Sequence, residues 1–133
     1  VGYFGVHLHT DGAWRDDAAP LAPFLRVEIH DSDLAIVSFW STGAAGLFYL
    51  GFQPRDYFDD PAASRAVDND TETAAFVVWA RDVLGVTLDA GAVRPLLADV
   101  GADEEPVDVF VEATLARLLQ MLRLPLPSEL ADD

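Results

Sequence analysis

The sequence predicts an α+β fold: a single antiparallel sheet of about four N-terminal strands, packed by two or three C-terminal helices. Three observations carry this. Apolar and polar residues alternate with period two through residues 3–9 and 24–30. From residue 69 onward the apolar residues recur at three and four, the helical rhythm. The links between the second, third and fourth strands are only a few residues long, which suits a meander and is too short for parallel crossovers. Strands followed by helices also argue against a doubly wound parallel sheet. At 133 residues the chain is expected to form one domain, 1–133, with 125–133 an acidic C-terminal tail.

The first strand places Phe4, Val6 and Leu8 on one face and Tyr3, His7 and His9 on the other, with the histidines expected on a solvated side. Residues 10–23 read as a loop, with Asp11-Gly12 as a turn, Pro20 and Pro23 as breakers, and Trp14 pinning the loop to the body. The second strand alternates Leu25, Val27 and Ile29 with Arg26, Glu28 and His30. Asp31-Ser32-Asp33 is a tight turn, since short oxygen-bearing side chains can bond their own backbone there. Strands over 34–41 and 46–52 are apolar on both faces, which indicates central positions or cover by helices. The connection over 54–70 is irregular, with Phe52, Tyr57 and Phe58 as anchors and a helical turn near 62–67.

Asn69 followed by Glu72 reads as a capping box opening a helix that stops at Gly85. Its stripe is Phe76, Ala80, Val83 and Leu84, and Val78 falls on the polar side. Pro95 fits only a first turn, so the next helix starts near Val93. The clearest helix carries Val107, Phe110, Val111, Thr114, Leu115, Leu118, Leu119 and Leu122 on its apolar face. Acids at 103–105 and arginines at 117 and 123 complement its dipole.

Charge bounds the function. The chain has 17 Asp and 6 Glu against 8 Arg, with no Lys, for a net charge of −15. Such a surface repels phosphate backbones and anionic lipid, so neither nucleic acid nor membrane is an expected partner; a cationic protein is. A GC-rich genome or a saline habitat would produce the same bias. With half the residues apolar, the charge does not signal disorder. The absence of Cys excludes disulfides and thiolate chemistry. No secretory leader or membrane span is read, so the expected location is the cytoplasm.

Two sites are expected. Asp56, Tyr57, Phe58, Asp59, Asp60, Asp68 and Asp70 gather acids around aromatic rings in one connecting region. That combination suits capture of an arginine- or lysine-rich partner. Its concrete form is a non-catalytic immunity or inhibitor protein, bacterial and cytoplasmic, docked on a cationic toxin. The alternative is a small metal-binding domain or metal-dependent enzyme. His7 and His9, two apart on a strand, share a face, and His30 on a neighbouring strand could join them around a divalent metal such as zinc. His7-Leu8-His9-Thr10-Asp11-Gly12 resembles the H-x-H opening of metal-dependent hydrolases of the amidohydrolase and PHP types. The resemblance covers six residues; it implies further His and Asp ligands downstream, and no His follows His30. Asp68 to Glu72 has the oxygen density of a calcium loop without its glycine or terminal glutamate, and helix capping accounts for it. Gly43 to Gly46 lacks the Lys-Ser/Thr of a phosphate loop and reads as a hairpin turn. A third reading is a subunit that pairs with itself as a homodimer, for which Val78 and the doubly apolar fourth strand are the signals.

Overall fold

The computed structural model describes residues 2–15, 22–64, 67–98, 108 and 110–130. It is α+β. Five antiparallel strands, β1 (Gly5–Thr10), β2 (Ala13–Arg15), β3 (Phe24–His30), β4 (Leu34–Trp40) and β5 (Ala45–Leu50), form one sheet in the order β2-β1-β3-β4-β5. The fifth strand, β2, is three residues that the sequence reading left inside a loop. Trp14 lies on it and does pin the region, its indole N–H donating to the Pro125 carbonyl at 2.8 Å.

Register decides which face each side chain occupies, because residues directly opposite on paired strands point the same way. His7 faces Val27 and His9 faces Leu25; Val27 faces Val37, and Val37 faces Phe48. This face is the core. Leu25, Val27, Val37 and Phe48 lose all solvent exposure under a one-sided cover of helices. The other face carries Val6, Leu8, Phe24, Arg26, Glu28, His30, Ile36, Ser38, Trp40 and Leu47, of which Val6 is exposed and the rest are half-buried, together with Thr10, Leu34 and Tyr49, which are buried. The expected sense of β1 is therefore reversed: His7 and His9 are buried, while Phe4 and Val6 are each 54% exposed.

Four helices follow: α1 (Pro54–Tyr57), α2 (Asn69–Trp79), α3 (Ala90–Val93) and α4 (Val111–Met121). Phe76 and Trp79 from α2 meet Phe39 and Phe48, with Phe76–Phe48 ring centroids at 5.0 Å and Phe76–Phe39 at 5.1 Å, edge to face. The Trp79 indole N–H reaches the Trp40 carbonyl at 3.0 Å, so its buried donor is satisfied. α2 widens into a π turn over Ala80–Leu84 and ends at Gly85 in the left-handed conformation (φ 68°), as the glycine stop implied. α3 starts three residues before the expected Val93, capped by Asp89, and Pro95 falls in a following 3-10 turn. α4 begins at Val111; Phe110 is its N-cap residue and is 61% exposed, so it lies outside the apolar stripe. The acids at 103–105 and Val107 lie outside the described residues. Residues 125–130 do not trail away as a tail: Leu126 and Leu130 pack against the core.

The three-residue connection between β3 and β4, Asp31 to Asp33, has Asp31 and Ser32 at positive φ, and the Asp33 N–H closes it on the His30 carbonyl at 3.0 Å. Neither is glycine, and tertiary bonds hold them there. The Ser32 hydroxyl accepts from the Tyr3 N–H at 2.7 Å and donates to Glu112 at 2.7 Å, while the Ser32 carbonyl accepts from the Val111 N–H at 2.8 Å. One turn thus joins the N-terminal segment to the start of α4.

The edge strand β5 is closed. Glu72 accepts the outward Leu47 N–H at 2.7 Å, the Ala98 N–H donates to the Tyr49 carbonyl at 2.8 Å, and Leu50 bridges to Leu97. Glu72 therefore guards a sheet edge and makes no capping box. The helix cap is Asp68, whose carboxylate accepts from the N–H groups of Asp70 and Thr71. Replacing Glu72 by alanine removes a charged acceptor from a backbone N–H, and the expected loss of stability is about 1.5–3 kcal/mol in urea unfolding. A loss near zero would show that water serves Leu47 equally well.

Candidate functional site

The three histidines do not converge. Strand parity puts His7 and His9 on the covered face and His30, three positions beyond the partner of His7, on the opposite one. Among the described residues no group of three or more His, Asp or Glu is placed to hold a metal ion. The convergence of His7, His9 and His30 expected for a zinc-type site is not what the described residues show, because the register sets His30 on the other face.

His7 and His9 instead form an aromatic inset with residues distant in sequence. The Tyr3 hydroxyl lies 2.8 Å from His7 Nε2, with the two rings stacked at 5.9 Å. His7 Nδ1 is 3.7 Å from the Glu129 carboxylate, and Trp14 sets its edge against His9 at 5.1 Å. A small hollow of about 230 Å³ opens beside them, lined by His7, Trp14, Arg15, Ser128 and Glu129. Burial holds both imidazoles below their ordinary pKa; the Arg15 guanidinium adds to this at His9, and Glu129 opposes it at His7. Burial, followed by the Glu129 and Glu112 carboxylates, raises Tyr3.

The acidic connection is the more exposed arrangement. Gln53 precedes α1, which ends at Phe58; Asp59 then turns the chain at φ 51°, and Asp60 caps a 3-10 turn at Pro61–Ala63 by accepting from the Ala62 N–H at 2.9 Å. Asp56, Phe58, Asp59 and Asp60 are all exposed, and Phe58 retains 50% of its surface. Tyr57 serves differently. Its hydroxyl donates to Asp33 at 2.7 Å, and this bond, with some burial and the Asp33 and Asp31 charges, pushes its pKa up to about 12. Tyr57 is an anchor, as first read from the sequence, and its hydroxyl is already engaged.

Asp68 and Asp70 stand at the start of α2. The N–H of Thr71, foremost among the bonds around it, holds the Asp68 carboxyl below the usual range. Asp70 pairs with Arg94 at 2.8 Å. Both carboxylates are exposed yet committed to local structure, as the capping Asp60 is.

Sequence reasoning missed two residues that complete the exposed cluster. His30 sits among three rings: Phe4 at 4.9 Å, Phe58 at 5.2 Å and Tyr57 at 5.7 Å, each edge on. Phe4 and Phe58 thus flank one imidazole at the end of the open face, with acids beyond them. Only the alternation of β3 hinted at this, since it put His30 on the face with Arg26 and Glu28.

The buried imidazoles set a pH dependence. A lowered folded-state pKa means the unfolded chain takes up protons first. This share of stability is intact above the unfolded value of about 6.5 and is lost as pH falls through it toward the folded value. Melting temperature followed by circular dichroism should drop between about pH 7.5 and about pH 5. The drop should be shallower in the His7→Gln, His9→Gln double variant; parallel slopes would acquit both histidines. No protein-family model matches this chain, and no curated protein or solved structure matches it.

Proposed function

We propose that this chain is a non-catalytic binding protein that docks a basic protein partner. The concrete form we favour is an immunity or inhibitor protein that occupies a cationic, nuclease-like toxin in a bacterial cytoplasm. The observation that carries this reading is the exposed run of Asp56, Phe58, Asp59 and Asp60 beside Phe4 and His30. Acids supply attraction and half-bare rings supply contact area, the combination that makes an arginine or lysine side chain adhere.

The net charge of −15 supports it at longer range, because every carboxylate contributes to the field that speeds encounter with a cation. Among the described residues no helix is long and apolar enough to cross a membrane.

Titration of isotope-labelled protein with an octa-arginine peptide tests the reading in the absence of a known partner. The largest amide shifts should fall at His30, Phe58, Asp59 and Asp60, and binding should weaken steeply with added salt. Phe58→Ala should cost about two- to fivefold in affinity, the worth of one exposed cation–π contact. Shifts spread evenly over Asp11, Asp82 and Asp89, indifferent to Phe58→Ala, would reduce the acidity to a general coat and overturn the proposal.

A further inference from the structure

The open face of the sheet is chemically unlike the rest of this molecule. Among the described residues, Glu28 is the one carboxylate at a strand position on it. Glu28 is bonded to Arg26 at 3.1 Å, and Arg15 stands on the same face opposite Leu8. The remaining positions are largely apolar. Phe24 stacks on Trp40 with centroids 6.3 Å apart, and an open hollow of about 610 Å³ runs between them and Leu47. Leu8 and Val6 continue the surface across β1, where Val6 is 54% exposed. In a chain of net charge −15, the strand positions of this face carry two arginines against one glutamate, a formal charge of +1.

We propose that this face is where two copies of the chain meet, sheet against sheet. Three features select a second copy as the occupant. First, the central charges are self-complementary: under a two-fold axis lying between the two faces and crossing over Val27 of β3, Arg26 of each copy faces Glu28 of the other, so the pair forms twice. Second, the face lacks the acid a cationic partner would seek, which the 56–60 loop offers instead at the His30 end. Third, sheet extension is blocked at β5, where Glu72, Ala98 and Leu97 occupy the outward backbone groups, so face-to-face packing is the route left on that side.

Size sets the strength. Four strands of six or seven residues and the three-residue β2, about 4.8 Å apart and rising about 3.3 Å per residue, give a flat footprint of roughly 450 Å² per copy at most. That is below the roughly 800 Å² per partner of a standard interface, so the dimer should be reversible, with a dissociation constant in the micromolar range. Because each copy carries −15, added salt should tighten it by screening the repulsion. Docking of a basic partner has the opposite salt response, so the two proposals fail separately.

Sedimentation equilibrium of the full chain, from about 5 to about 500 μM in low and in high salt, tests this across the expected range. The expected result is a monomer–dimer equilibrium that shifts toward dimer with salt. Arg26→Glu should weaken it about tenfold or more by setting like charges together, and the Arg26→Glu, Glu28→Arg exchange should restore it to within about threefold. Phe24→Asp should also weaken it; if that variant misfolds by circular dichroism, the charge exchange still decides. A monomer throughout, or a dimer indifferent to both Arg26→Glu and Phe24→Asp, overturns the proposal. So does a monomer whose open face gains hydrogen-exchange protection only when octa-arginine is added, which would assign the face to a basic partner.

Discussion

One-sided cover of a five-stranded sheet is the constraint from which the rest of the structure follows. Side chains alternate between faces, so a residue's fate is decided by the parity of its position and by which face the helices take. Phe76 and Trp79 settle the second point: Phe76 packs edge-on against Phe39 and Phe48, and Trp79 lies tilted against Phe39. Once that face is chosen, His7 and His9 go inside with Leu25 and Val27, and His30 goes outside with Arg26 and Glu28. Parity alone keeps His30 away from His7 and His9. The same rule leaves an open face free of all but one carboxylate and brings Phe4 beside His30.

Much of the fold was legible because its signals are local. The β3 and β4 runs alternate cleanly or are apolar throughout, and Gly85 ends its helix where expected. What escaped depends on distant partners. In β1, alternation fixes that two classes of residue point apart but not which class points in. Both Val6 and His7 can be buried, and the choice falls to His7 because Tyr3, Trp14 and Glu129 gather around its face. At the start of α2, the run from Asp68 to Glu72 offers several competent caps. Tertiary bonds sort them: Asn69 turns inward to donate to the Ala98 carbonyl, and Glu72 reaches β5, leaving Asp68 as the cap.

The acidic loop was legible as a place but not as a set of roles. Sequence marks Tyr57 and Phe58 alike as aromatic residues among acids. The difference lies in Asp33, 24 residues earlier, which takes the Tyr57 hydroxyl and turns that ring toward Phe52 and His30. Phe58 has no polar tip to be captured and keeps half its surface in water. A hydroxyl that finds a carboxylate becomes structure, whereas a ring without one stays available for contact.

Net charge and docking chemistry separate for the same reason. Many carboxylates here are backbone or side-chain acceptors. Asp60, Asp68 and Asp89 each cap a helical turn, Glu72 closes an edge, Glu112 takes Ser32, and Asp108 takes Thr114 and Arg117. With no lysine and only eight arginines to pair with, the chain employs N–H and O–H donors in their place. A carboxylate so engaged is still charged, so it adds fully to the long-range field, but its oxygens are partly spent for direct contact. Steering can therefore be read from composition, since it sums over all the charges. Docking cannot, since it depends on which few acids keep accessible oxygens beside an exposed ring. Among the described residues, the exposed Asp59 stands next to Phe58, which keeps half its surface in water.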